Sequence, residues 1–218
     1  LALARRSAVE GMVLLQNNPL ADGAPLLPLA APRIKTLAVL GALANTPNTG
    51  DNGSSRVRPP HVVTPLEGIK AAWNSGEVWF DTAAALRPAL ALAKKADAVM
   101  IVAGYDFHDE GEKIGTGGDR ASLTLKPADE ALIQAVAAVN SRVVVVIESG
   151  SAVITDAWRE RVPAIVAAWY PGMEGGHALA EILLGQVNPS GRLPFVIPTQ
   201  PEHLPFYDKN ATAIEYDL

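Results

Sequence analysis

Four runs in this chain are apolar almost from end to end: 36-TLAVLG-41, 98-AVMIVAG-104, 143-VVVVIES-149 and 164-AIVAAWY-170. A strand with one wet face alternates apolar and polar residues, so a continuous run marks a strand buried on both faces. Two further strand candidates are 77-EVWF-80 and 193-LPFVIP-198. The segments 65-PLEGIKAAWN-74, 83-AAALRPALALAKKA-96, 127-PADEALIQAVAAVN-140 and 174-EGGHALAEILLG-185 read as helices, as does the opening stretch 1-LALARRSAVEGMVLLQN-17. Pro65 and Pro127 suit a first helical turn, Thr64 suits an N-cap, and Gly185 suits a C-terminal stop. Strands alternating with helices require a parallel sheet covered on both faces. The expected fold class is therefore α/β, a three-layer α/β/α sandwich. Its sheet should be mostly parallel, of about six strands, with one antiparallel edge strand. The proline-bearing run 193–198 is the edge-strand candidate.

A chain of 218 residues, 49% of them hydrophobic, can bury one sizeable core, so residues 1–218 are expected to form a single α/β-sandwich domain. The net charge of −5 and the scattered Lys and Arg argue against a nucleic-acid partner. No apolar run approaches the roughly 18 residues of a membrane-spanning helix, so no membrane partner is expected. There is no cysteine, which removes disulfide and thiolate chemistry. The chain opens directly into a helical pattern and closes at 214-IEYDL-218, which suggests a piece of a longer protein.

In open α/β sheets ligands bind beyond the carboxyl ends of the strands. The loops expected there span 42–60, 105–123, 148–154 and 170–176, and the first two are long enough to suggest function. The stretch 109-DEGEKIGTGGDR-120 gathers Asp109, Glu110, Glu112 and Asp119, with His108 adjacent. Clustered carboxylates suit a divalent cation, although the spacing fits no EF-hand. A carboxyl crowded by others and partly desolvated can instead serve as a general acid near neutral pH. The third reading is a solvated acidic loop, which composition alone favours.

The Gly-rich stretch 50-GDNGSSRVRPP-60 lacks both phosphate-loop patterns. Arg56 and Arg58 would point the same way in an extended segment, either toward the acidic loop or a ligand, or into solvent. The triplet 149-SGS-151 is no nucleophile elbow, since G-x-S-x-G is absent. His61, His177 and His203 read as structural or solvent-facing. Trp169 and Tyr170 end a strand at the loop face, where an aromatic can stack on a sugar or simply fill the core.

Several segments together resemble the second, α/β-sandwich domain of family-three glycoside hydrolases of the β-glucosidase and β-xylosidase type. They are 8-AVEGMVLLQN-17 with 26-LLPL-29, 39-VLG-41, 50-GDNGSSRVRPPHVVTPLEGI-69, 109-DEGEKIGTGGDRASLTL-125, 143-VVVVIESGSAV-153 and 167-AAWYPGMEGGHALAEILLGQVNPSGRLPFVIP-198. The last carries W-Y-P-G-x-E-G-G followed by G-x-x-N-P-S-G-[KR]-L-P, the most specific of the matches.

The resemblance implies half an active site. A preceding (β/α)8 barrel of the same chain would carry the aspartate nucleophile, and this domain would supply the general acid/base of a retaining, exo-acting β-glycosidase, a β-glucosidase first. The fragment alone would be inactive, and its substrate would be a terminal β-linked glucoside or oligosaccharide. No cofactor or metal is implied. The family's E-G-x-D-R-like pattern is best matched by Glu110, but 112-EKIGTGG-118 intervenes before Asp119 and Arg120, so Glu112 competes for the role. Asp119 and Arg120 look like loop anchors. Asn52, Gly53, Ser54, Ser55, Arg56, Arg58 and His108 are the candidate substrate contacts. Location stays open, a secreted or periplasmic one set slightly ahead of a cytoplasmic one. The rival from another class is a stand-alone Rossmann-like module that binds a cation or polar ligand.

Overall fold

The computed structural model describes residues 1–29, 34–50, 53, 55–111, 118–205 and 211–213. In chain order the elements are helix α1 (Ala2–Gly11), β1 (Val13–Asn17), β2 (Thr36–Leu40), α2 (Pro65–Ala72), β3 (Glu77–Asp81), α3 (Leu86–Lys95) and β4 (Ala98–Gly104). There follow a one-turn α4 (Phe107–Glu110), α5 (Pro127–Ala137), β5 (Val143–Glu148), β6 (Ala164–Ala167) and α6 (Gly175–Leu183). The strands form one sheet in the order β1-β6-β5-β4-β2-β3. All neighbours are parallel except β1 against β6.

The continuous apolar runs have the burial they imply. Every residue of β4, β5 and β6 is buried. Successive side chains alternate between two cores. Leu37, Val39, Met100, Val102, Val144, Val146 and Val166 face the side with α1, α2 and α6. Ala38, Leu40, Val99, Ile101, Val145, Ile147 and Ile165 face the side with α3 and α5. This is the expected three-layer sandwich.

Local signals set the helix ends. Thr64 caps α2 in a reciprocal capping box with Glu67, and Pro65 and Pro127 open α2 and α5. Helices α2 and α6 cross at backbone contact: a Cβ on Gly68 would lie 1.9 Å from the Gly176 carbonyl oxygen, and one on Gly176 would lie 2.0 Å from that of Thr64. No side chain fits at either position.

Two expectations need correction. The run 193–198 forms no strand, because Pro194 and Pro198 remove two of the N–H groups a ladder needs. The antiparallel edge is β1, from the opening stretch that reads as helix through residue 17. The helix ends at Gly11, Met12 adopts an extended φ/ψ of −64°/139°, and 13-VLLQN-17 pairs with β6. Strand β6 also stops at Ala167, short of residue 170, because Trp169 turns the chain at φ 58°.

Candidate functional site

The parallel strands all deliver their carboxyl ends to one edge of the sheet, where the loops after β2, β4, β5 and β6 meet. Strand β4 ends at Gly104, and Asp106 then starts α4 by accepting from the His108 N–H at 2.8 Å. The Asp109 carboxylate completes a capping box on the Asp106 N–H at 3.2 Å and pairs with Lys126 at 2.7 Å. This single capped turn aims the next residue, Glu110, back across the end of β5.

Glu110 meets four donors there. Its Oε1 accepts from Ser149 Oγ at 3.1 Å and from Arg120 Nε at 3.0 Å. Its Oε2 accepts from the Gly150 N–H at 2.7 Å and from the Tyr170 hydroxyl. A carboxylate offers about four acceptor sites, and a donor faces each of them here, the single Ser149 proton being shared with the Ser151 carbonyl at 3.0 Å. Both partners of the ion pair are largely buried, with side-chain exposures of 8% for Arg120 and 12% for Glu110.

Arg120 is held through Nε and one Nη, while its other Nη is buried without a partner among the described residues. One Nη donates to the Ala152 carbonyl at 2.8 Å and to the Ser151 hydroxyl, and the guanidinium lies 4.6 Å from the centre of the Tyr105 ring. Lys126 approaches the same ring at 5.7 Å, a second cation–π contact. The Tyr105 hydroxyl donates to the Thr124 carbonyl, and burial pushes its pKa up.

Beneath this layer lies Glu148, the last residue of β5, at 1% exposure. Its Oε2 accepts from Asn48 Nδ2 at 2.8 Å, and the same amide donates to the Tyr105 carbonyl at 2.9 Å. Burial pushes the Glu148 carboxyl up to about 8, against a small opposing effect from Asn48. At neutral pH this acid is uncharged.

The segment after Gly50 is tied to the start of α6. Glu174 accepts from His177 Nδ1 at 2.8 Å and lies 3.1 Å from His61 Nε2, and the hydrogen bond from His177 holds its carboxyl below the ordinary range. The backbone adds Val63 N–H to the Met173 carbonyl at 2.9 Å. Among the described residues no three His, Asp or Glu side chains converge as a metal site requires.

An open cleft of about 280 Å³ lies over the network, lined by Glu110, Asp119, Arg120, Gly150, Ser151 and Tyr170. Of the residues singled out in the sequence, the fold thus brings together Glu110, Asp119 and Arg120. His108 is exposed and stacks on Phe107 with ring centroids 3.8 Å apart. Ser55, Arg56 and Arg58 are exposed outside the cleft lining, and Gly53 is half-buried, its carbonyl accepting from the Arg56 N–H at 3.1 Å. Asn52, Ser54 and Glu112 lie outside the described residues. Sequence reasoning missed Ser149, Gly150, Asn48 and Glu148, and it saw Tyr170 only as a rim aromatic. A glutamate closing 143-VVVVIE-148 was the available signal, because a run buried on both faces carries its last side chain into the core.

Comparison with known proteins agrees with this architecture. A family model described as Glycosyl hydrolase family 3 C-terminal domain matches residues 12–217. The chain is 36% identical over 220 residues to Beta-glucosidase BoGH3A of Bacteroides ovatus, covering 91% of this chain and 29% of that protein. It is 35% identical over 208 residues to Exo-alpha-(1->6)-L-arabinopyranosidase of Bifidobacterium longum, covering 90% of this chain and 27% of that one. Beta-D-glucoside glucohydrolase from Trichoderma reesei superposes with a TM-score of 0.83 at 29% identity, over 96% of this chain and 32% of that chain. The chain therefore spans less than a third of the length of each of these relatives. It belongs to glycosyl hydrolase family 3, whose C-terminal domain it forms.

Proposed function

We propose that this domain supplies the general acid/base of a retaining, exo-acting β-glucosidase that removes terminal non-reducing β-D-glucosyl residues. The nucleophile is assigned to a preceding (β/α)8 barrel of the same protein, without which the domain is inactive. Glucose is chosen because two of the three relatives described above are named for glucosides. In the first step the acid protonates the glycosidic oxygen as the nucleophile attacks the anomeric carbon. In the second, the same group, now a carboxylate, takes a proton from the water that releases the sugar.

The observation that carries the assignment of roles is the saturation of Glu110. A general acid must present an O–H to the leaving oxygen. Glu110 has two donors on each oxygen, one of them a guanidinium, and would have to abandon them to reach a substrate. Glu110 is therefore read as the anchor of the loop and Glu112 as the proton donor.

The test uses the full-length enzyme with phenyl and 2,4-dinitrophenyl β-D-glucosides. The phenyl leaving group needs protonation and the dinitrophenyl group does not. Glu112→Ala should lower kcat/KM on the phenyl substrate by roughly 10²- to 10⁴-fold, with a far smaller loss on the dinitrophenyl one. Added azide should restore its kcat by forming the glucosyl azide. Glu110→Gln should lower stability and impair the phenyl substrate more than the dinitrophenyl one, with no response to azide. Azide rescue of Glu110→Ala but not of Glu112→Ala would reverse the assignment, and rescue of neither would remove the acid/base from this loop.

A further inference from the structure

Tyr170 stands where three loops touch. Its hydroxyl donates to Glu110 in the loop after β4. Its ring lies against Gly50 in the loop after β2, where an added Cβ would be 2.9 Å from Cδ2. It also lies against Gly150 in the loop after β5, where a Cβ would be 3.0 Å from Cε2 and 3.1 Å from the Glu110 carboxylate. At Gly50 the backbone φ of 90° excludes other residues as well. Two glycines therefore clear the space for one aromatic ring.

The turn that presents Tyr170 is itself constrained. Trp169 sits at φ 58°, a conformation that a bulky residue adopts only when its surroundings impose it. The surroundings are identifiable. The indole N–H donates to the Gly11 carbonyl at 2.9 Å, at the end of α1, and the ring meets Phe195 edge-on with centroids 5.7 Å apart. Backbone strain held by two long-range contacts, with the next side chain delivered to a buried carboxylate, is an arrangement found at functional sites. Burial and the Glu110 hydrogen bond both push the Tyr170 pKa upward, so the hydroxyl stays a donor.

We propose that Tyr170 is a positioning residue for proton transfer: it fixes Glu110, and through it the acid-bearing loop, relative to the Gly50 loop. The inference rests on the reading above, in which Glu112 carries the proton and Glu110 anchors it. A residue of this kind acts through geometry, because a displacement of about 1 Å at the reacting groups can cost 10²-fold in rate.

Tyr170→Phe in the full-length enzyme keeps the ring against both glycines and deletes only the hydroxyl. The expected result is a loss of roughly tenfold in kcat/KM on phenyl β-D-glucoside, a much smaller loss on the 2,4-dinitrophenyl substrate, and an unfolding midpoint within about 2 °C of the parent. Gly150→Ala, which pushes on the ring and the carboxylate together, should reproduce the same substrate bias. Equal losses on both substrates, or no loss on either, would overturn the proposal. Glu112→Ala run in parallel separates the two levels. If it shows the leaving-group bias and azide rescue, the Tyr170→Phe result judges Tyr170 alone. If it shows neither, the reading beneath fails and takes this proposal with it.

Discussion

Glu148 offers the sharpest test of the electrostatics at the sheet edge. Its carboxyl is 1% exposed, has one donor in Asn48, and titrates at about 8 instead of the ordinary 4.5. A group that binds its proton more tightly when folded favours the folded state at low pH. That contribution is complete below 4.5 and is lost as pH rises toward 8, where the folded carboxyl begins to ionise as well. Between those limits the unfolded chain holds fewer protons than the native one, and stability falls by about 1.4 kcal/mol per pH unit from this group alone. From pH 5 to pH 8 the fall amounts to about 4 kcal/mol, a large part of the stability of a typical domain. Glu148→Gln keeps an uncharged side chain of the same shape and removes the titration. Urea unfolding of parent and variant at pH 5, 6, 7 and 8 isolates the effect, because every other group cancels in the difference. The variant should gain steadily on the parent, by about 4 kcal/mol over the range. Parallel stability curves would show that Glu148 ionises normally in the folded protein, and the account of a neutral buried acid would be wrong.

Two further perturbations probe the anchor and the helix interface. Arg120→Met removes the cation from a largely buried carboxylate and should cost about 3 kcal/mol in urea unfolding at pH 7; a cost under about 0.5 kcal/mol would mean that solvent screens the pair. Gly68→Ala places a Cβ 1.9 Å from the Gly176 carbonyl oxygen, so α2 and α6 must part, and a loss of about 3 kcal/mol is expected. Gly11→Ala, with nothing within 4 Å of the new methyl, is the control and should stay within about 0.5 kcal/mol of the parent.

Much of the sheet was legible because its signal is local. Val143 to Ile147 are apolar without interruption, and a run of that kind has only one comfortable environment. The edge was harder to read. Residues 13–17 continue a helical stretch without a proline or a charge run to divide them, and what makes them a strand is the open side of β6, which is over a hundred residues away in sequence. The run 193–198 has the composition of a strand and too few N–H groups to be one. The site divides in the same way. The acidic cluster was visible, and so was its place at the carboxyl ends of the strands. Whether Glu110 donates a proton or holds a loop depends on Ser149, Gly150 and Tyr170, which lie 39, 40 and 60 residues further on. No spacing rule reaches that far.

Glu110 and Glu148 show how differently one sheet edge partners two carboxyls. Glu110 receives four donors, one of them a guanidinium. Among the described residues Glu148 has one amide and no cation, so burial decides and pushes its pKa up. The two are joined through bonds already described: Glu148 to Asn48, Asn48 to the Tyr105 carbonyl, the Tyr105 ring to Arg120, and Arg120 to Glu110. Arg120 instead pairs with Glu110, which Ser149 and Gly150 after β5 and Tyr170 after β6 hold as well.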